Sequence, residues 1–438
     1  MMPPQLLDCQ QLWWHQLLGL EIEQLLQSGA VAFLDAHWMV AFWEQGGRTL
    51  ARRQDLPDEA FITLEDLKAA GTPENYLPCI MQSYMWLQPD RPDPLGFTLR
   101  QMVSVLKAFT AMRPEQYGNS TASSVGPGHT QRWGVFVDFN CLHQKPRTES
   151  EELLFNEALE SLDKLYSHPH TIVIRFTKLP DDYPRGYNIP PDANVAEYAN
   201  RGWTFTESWW SCIIKDRWGS WDAAMLSGSE RTLEQVRRPC TEGVRLVALT
   251  PDQFDAQVRT KRFTNGKEDQ PLCARLYSLA FEQRFGSTSV IKLNSMAMDD
   301  TQAIQLAAIL RTNGCANLEA ISLHSNQISS RGIAALTKAI STVTMSRLKK
   351  LLLGCNPFGD EGAIAISSMI MAGATPRLEE LDVRTALVGS GGMQALTEAV
   401  VSRDARFLRT VVAKNNVADD GPLQRMISAK ALPLACIP

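Results

Sequence analysis

Three short clusters of polar and aromatic residues have types and spacings that could do chemistry. Ser83, Tyr84 and Trp86 form the first, Asp138, Asn140, Cys141, His143 and Gln144 the second, and Arg201, Trp203 and Glu207 the third. Glu207 follows Trp203 by one helical turn, so the two side chains share a helix face. A carboxylate in that position can stabilise positive charge as a leaving group departs, which is how glycoside cleavage uses carboxylates. Trp86 or Trp203 could stack on a flat ring, and Arg201 could hold a phosphate. The same residues also have a plain structural reading. Tyr84, Trp86, Phe139 and Trp203 would then be core or rim aromatics, Asp138 would brace a strand-to-helix turn, and Arg201 would pair with a carboxylate at a loop end. Cys141 is expected to be buried and inert, because no His-plus-carboxylate arrangement can be identified around it.

Other polar residues read as structural. His143 and His168 are expected at the surface, since no HxH or HExxH spacing makes them metal ligands. Gly126 and Gly128 flank Pro127 in a loop, and no glycine-rich phosphate cradle of the GxGxxG or Walker type occurs. Glu149, Glu151 and Glu152, like Asp299 and Asp300, read as solvated helix starts.

The elements that must position these clusters alternate between strand and helix. Strands are expected over 78–86, 133–142, 171–177 and 244–249, and helices over 98–112, 149–168 and 203–218. That order predicts a doubly wound parallel sheet, in which ligands sit beyond the carboxyl ends of the strands. The strand tips carrying Trp86 and Asp138 are therefore the expected cavity, with Glu207 and Arg201 facing it. Upstream, residues 12–27 and 30–45 read as two Trp- and Leu-rich helices whose Trp13, Trp14, Trp38 and Trp43 are core. A polar connector over 52–61 and a short helix from Leu64 to the stop at Gly71 follow.

In their order and internal spacing the three clusters resemble the heterokaryon-incompatibility (HET) domain, a relative of the TIR domain. That family shows S-Y-x-W-G, then D-x-x-C-I-x-Q, then R-x-W-T-x-Q-E. Leu87 stands where the family has Gly, and Thr206 where it has Gln. The resemblance covers about 76–250. In TIR domains that cleave NAD, a Glu in a W-C-x-x-E context sits in the pocket, and Trp203-Thr204-Phe205-Thr206-Glu207 looks like that element. The resemblance thus implies Glu207 as the catalytic residue of an NAD glycohydrolase, with Tyr84, Trp86, Asp138, Arg201 and Trp203 around it. NAD would be the substrate, and no cofactor is required. Many HET-like and TIR-like domains serve only as assembly modules, which implies self-association instead.

Downstream the chain repeats itself. Leu318, Leu348, Leu378 and Leu408 recur every 30 residues. Each opens an LxxLxL piece, and an Asn often follows (Asn326, Asn356), although Ala386 takes that place in the unit of Leu378. Ile291, Leu293 and Met298 fit one register earlier, and Val411 and Val412 stand for leucines in the last unit. The LxL piece reads as a strand with alternate side chains inward, backed by a helix such as 332–340, 362–370 or 392–400. One such unit cannot bury its own apolar face, so the units must stack into a short solenoid. This resembles the ribonuclease-inhibitor-like leucine-rich repeat, a class that usually presents surface to a protein partner.

Composition bounds the rest. The 438 residues carry 43 Lys and Arg against 48 Asp and Glu, a net charge of −5, which disfavours gripping nucleic acid by bulk charge. No run of 18 apolar residues suggests a membrane span, and the first residues lack the pattern of a secretory leader. Nine scattered Cys without a CxxC spacing read as reduced intracellular thiols. The expected whole is cytoplasmic: a helical lead segment (1–75), a HET/TIR-like α/β domain (76–250), a connector (251–286) and the repeat array (287–438). It would act as a recognition or signalling scaffold with a protein partner on the repeats, and with neither nucleic acid nor membrane as a partner. NAD cleavage is the alternative.

Overall fold

The computed structural model describes residues 14–70, 76–111, 132–179, 191, 193–242, 245–263 and 266–431. The chain is a mixed α/β protein whose described residues form two five-stranded sheets. It divides into two compact units: Met1–Ser211, Trp218–Glu242 and Ala256–Tyr277 in the first, Cys212–Arg217, Gly243–Asp255 and Ser278–Pro438 in the second. Among the described residues no helix is long and apolar enough to cross a membrane. The loop of Gly126 and Gly128, Trp13, Gly71 and most of 180–192 lie outside the described residues.

In the first unit the chain runs α1 (Leu20–Ser28), β1 (Leu34–Asp35), α2 (Ala36–Glu44), α3 (Leu64–Ala69), β2 (Cys79–Ser83), α4 (Phe97–Thr110), β3 (Gly134–Phe136), α5 (Asp138–Cys141), α6 (Glu149–Leu159), α7 (Leu162–Tyr166), β4 (Ile172–Arg175), α8 (Gly202–Trp210), β5 (Ser220–Asp222) and α9 (Leu233–Thr241). The sheet order is β1-β3-β2-β4-β5. The last four strands in that order are parallel, and β1 lies antiparallel on the β3 edge. Aromatic side chains pack both faces. Phe136 meets Tyr166, which stacks on Trp210, while Phe109 packs against Trp133 and Trp221.

Several expected elements differ, each for a local reason. Residues 30–45 are not one helix. Asp35 is extended and caps α2 by accepting from His37 N at 2.7 Å and Trp38 N at 3.0 Å, so the chain before it is free to pair as β1. The helix expected over 12–27 breaks at Leu18, whose φ is 58°. Trp14 is core as expected, whereas Trp38 and Trp43 are only half-buried. Helix 149–168 breaks at Ser161 into α6 and α7, and α6 opens with a Thr148–Glu151 capping box. The helix expected to run to 218 ends at Trp210. The last strand of this sheet is β5, while residues 245–250 form no strand. His168 is buried, not at the surface, with Nε2 3.2 Å from Leu18 O.

The stretch expected as a connector is largely helical, as α10 (Pro251–Val258) and α11 (Gly266–Ser287). The repeats follow as β6 (Val290–Lys292), α12 (Asp300–Leu310), β7 (Ala320–Ser322), α13 (Ser330–Val343), β8 (Lys350–Leu352), α14 (Gly359–Met371), β9 (Glu380–Asp382), α15 (Ser390–Val401), β10 (Thr410–Val412) and α16 (Gly421–Ala431). All five strands are parallel in sequence order. Ile321 pairs with Ile291 on one side and Leu351 on the other, and the same 30-residue offset holds to Val411. The central residue of every strand is buried.

Asn side chains stitch the turns. Asn326 Oδ1 accepts from Met296 N and Met298 N, and its Nδ2 donates to Leu293 O and Leu323 O. Asn356 repeats the pattern one step on, and Asn416 does so in the last repeat. Where Ala386 stands in that column, Phe358 N donates to Asn356 O at 3.0 Å instead. Asp300 is not merely a solvated helix start, since it accepts from Ser329 N, Ser329 Oγ and Gly332 N of the next repeat.

Just before the Asn column every repeat places a non-glycine residue in the left-handed region: Ser295, Ser325, Cys355, Thr385 and Asn415, with φ from 51° to 61°. A β-branched residue is strained there, and Asn is tolerated. Thr385 is exposed, so little packing is lost on replacing it. Thr385→Asn is therefore expected to stabilise the repeats by roughly 1 kcal/mol. Thermal melting tests this, and a lowered melting temperature would contradict the strain argument.

Candidate functional site

The β2 and β4 tips lie side by side, with Ser83 opposite Arg175. Ser83 points to the α8 face, where its hydroxyl donates to the Glu207 carboxyl and lies 2.6 Å from the Tyr198 hydroxyl. Ser208 Oγ donates to the same Tyr198 hydroxyl at 3.3 Å. The Tyr166 hydroxyl, which also neighbours Glu207, donates to Gln82 O at 2.8 Å. Glu207 is 4% exposed, and no cation bonds to it among the described residues. Burial, reinforced by the nearby negative charge of Asp138, pushes its carboxyl well above the usual carboxylate range. Burial thus favours the protonated form of this carboxyl.

Asp138 starts α5 and braces the turn, in keeping with the structural reading. Its Oδ1 accepts from Phe139 N at 2.7 Å and Trp86 Nε1 at 3.1 Å, and Tyr84 also bonds to its side chain. Burial nevertheless pushes its carboxyl up to about 7. Phe139 meets the Trp86 ring edge-on, with centroids 5.6 Å apart.

Arg201 does not pair with a carboxylate. Its guanidinium donates to three backbone carbonyls, Ala196 O at 2.7 Å, Asn194 O and Trp86 O. Burial lowers its pKa to about 10, with Arg262 adding to the effect. Arg201 therefore fastens the 193–201 segment over the β2 tip, beside the buried Glu207. The next residue must be glycine because a Cβ on Gly202 would lie 2.2 Å from the Phe263 ring. Trp203 turns away from the cluster and donates from Nε1 to Asp269 at 3.0 Å.

The three motifs therefore converge, but not as one open pocket. Tyr84, Trp86 and Asp138 form one bonded group, Ser83, Tyr198 and Glu207 a second, and Arg201 is the latch. A cavity of about 110 Å³ does lie at the strand ends, lined by Tyr84 among others. Trp86, Asp138, Arg201, Trp203 and Glu207 do not line it, contrary to the placement expected for Glu207 and Arg201. Tyr166 and Tyr198 complete the cluster without any signal of spacing in the sequence, whereas Ser83 belongs to the first motif. Among the described residues no group of three or more His, Cys, Asp or Glu side chains is placed to hold a metal ion.

Cys141 is buried, and burial pushes its thiol up to about 12. Its labelling by a thiol reagent in the native protein is expected to be orders of magnitude slower than that of a free small thiol. Labelling at the free-thiol rate would contradict this.

The repeats expose a different kind of surface. Glu319 bonds to Lys349 at 2.9 Å, and Lys350 to Glu380 at 2.8 Å, so charges of alternating sign cross from strand to strand. On the turn side Leu387 and Val417, equivalent positions in successive repeats, are 59% and 74% exposed. A Leucine Rich repeat family model matches residues 346–367. These residues include β8 and the first part of α14. No curated protein matches the chain. A leucine-rich repeat with apolar side chains left in water has the features of a protein-interaction surface. Asn416 was the legible residue missed here, because it stands 60 residues beyond Asn356 in a chain of period 30.

Proposed function

We propose that this chain is an intracellular recognition and signalling scaffold. Its leucine-rich repeats, stacked as a short solenoid, bind a protein partner, and its N-terminal α/β unit, HET/TIR-like in its motifs, assembles or signals. The reading rests on the repeats, whose strands hold one 30-residue register and whose turns leave Leu387 and Val417 in water. No disulfide joins the described cysteines, which suits a reducing compartment. Proximity labelling in the source cells compares the unmodified chain with Leu387→Asp/Val417→Asp. Both positions are exposed, so the double variant is expected to fold while losing a specific neighbour. An identical labelled set for both proteins would sink the assignment of this surface.

The burial of Glu207 supports this reading over NAD cleavage. A carboxyl bonded to Ser83 and shut from solvent cannot reach a nucleotide unless the segment held by Arg201 moves. Purified protein incubated with NAD is expected to release no nicotinamide. Release that disappears in Glu207→Gln would reverse the choice.

A further inference from the structure

The cavity at the strand ends has an apolar floor and a charged mouth. Met39, Leu99, Val137 and Phe139 line it and are buried. Tyr84 lines it too, with its hydroxyl bonded to Asp138, and Asn140 has its Nδ2 on Ala51 O at 2.6 Å. The charged side chains of the lining are Asp90, Arg91 and Asp93. Asp90 and Arg91 are exposed, and neither has a hydrogen-bond or ion-pair partner among the described residues.

Asp93 is placed differently. Its Oδ1 accepts from Phe97 N at 2.8 Å and its Oδ2 from Leu99 N at 2.9 Å, so it caps α4 and occupies that helix start. Each carboxylate oxygen keeps a second lone pair for another donor. Burial raises the Asp93 carboxyl above its usual range, against the pull of those N–H groups and of Arg100, so a cation beside it would stabilise its charged form. The mouth is also preorganised. Pro92 and Pro94 fix their own φ angles, and Pro92 O accepts from Leu87 N at 3.0 Å. A Cβ on Gly96 would lie 1.7 Å from Arg48 O, so this turn seats directly against the chain that carries Thr49 and Leu50 of the same lining.

We infer that this cavity binds a free aliphatic α-amino acid, with its side chain on the apolar floor, its carboxylate on Arg91 and its ammonium between Asp90 and Asp93. The size of the side chain follows from the volume. An apolar cavity of about 150 Å³ holds the six carbons of benzene, so one of about 110 Å³ takes roughly four, as in leucine or isoleucine. The head group follows from the charges. A guanidinium matches a carboxylate in a bidentate fork, and the two flanking carboxylates match an ammonium. All three charges lie on one short turn, as suits the two charged groups that an α-amino acid carries on a single carbon. A simple amine would leave Arg91 unmatched, and a simple fatty acid would meet two carboxylates. The site belongs to the α/β unit and is independent of the repeat surface.

Ligand-observed NMR on the full chain tests this with L-leucine, 3-methylbutylamine, 4-methylpentanoate and glycine. Leucine is expected to bind saturably. The amine and the acid, each lacking one of its charges, are expected to bind at least about fivefold more weakly, the factor that a half-exposed ion pair supplies. Glycine keeps both charges without the side chain and is expected to show no saturable binding. Arg91→Gln is expected to weaken leucine by about fivefold and to leave 3-methylbutylamine unaltered. Asp90→Asn is expected to weaken leucine and to leave 4-methylpentanoate no weaker. Both positions are exposed, so both variants are expected to fold. No saturable binding of leucine, an amine or acid that binds as tightly as leucine, glycine bound at the same level, or leucine binding unaltered in Arg91→Gln would each overturn the assignment.

Discussion

Leu353→Ala is expected to lower the stability of the repeat-containing unit by about 2–5 kcal/mol. Leu353 is buried one residue past β8, between Leu323 and Val383 in the same column of the neighbouring repeats. Its N–H donates to Asp382 O at 2.8 Å, and its carbonyl accepts from Asn356 Nδ2 at 2.8 Å. The backbone is thus pinned on both sides and cannot collapse into the space left by the side chain. That places the cost toward the upper end of the range, because a cavity that cannot relax is the expensive kind. Lys349→Ala is the control. It removes a partly exposed ion pair with Glu319, a loss that water largely makes good. Urea denaturation of the two variants should separate them clearly, and a near-neutral Leu353→Ala would mean that the column is not packed.

The second large effect is a dependence on pH. Asp138 titrates near 3.8 in an unfolded chain and is pushed up to about 7 in the folded one. The folded state therefore holds this proton where the unfolded state has lost it. Below about pH 4 the group is protonated in both states and costs nothing. Between about pH 4 and 7 the folded state binds more protons, so stability falls as pH rises. Above about pH 7 the full penalty stands, roughly 4 kcal/mol for a shift of this size. Glu207 moves in the same direction, and the two carboxyls act as a pair. Asp138→Asn should therefore gain stability relative to the unmodified chain as pH rises from 4 to 7, in denaturation followed by a Trp signal. Parallel curves for the two proteins across that window would show that Asp138 ionises freely and is not buried as described.

The repeats were legible because their signal is long-range and periodic. Leucines at 318, 348, 378 and 408 state the strand register directly, and the paired residues follow it without exception. In the other unit the motifs marked the right strand tips, and Asp138 braces its turn as its position suggested. The rest depended on contacts that no local pattern encodes. Two residues, Leu34 and Asp35, make a strand only because β3 offers an edge. β5 carries Ser220 and Asp222 around one buried Trp, which no apolar run announces. Arg201 invited a carboxylate partner and found three carbonyls, because the segment it caps folds back onto Trp86. That same closure buries Glu207 on Ser83 while Trp203 bonds to Asp269, so the spacing of the two residues did not bring them to one cavity. Asp90 and Arg91 gave no signal at all, since charges in a proline-rich loop read as solvated surface until they are seen to line a cavity.

The constant offset between paired strands also governs how the chain acquires its structure. In the repeats each strand finds its partner 30 residues away, so every pairing closes a loop of the same modest length. The sheet of the other unit must instead close longer and unequal stretches, from Val173 with Ser220 to Leu34 with Val135, before its strands are all paired. Loop-closure entropy and contact order therefore assign the two sheets different clocks. The repeats can begin from any adjacent pair and grow by one strand at a time. The other sheet waits for β4 to be made before the central β2 has both neighbours. On a ribosome the slow sheet emerges first and the fast one last, so the repeats can be complete while the older part of the chain is still searching.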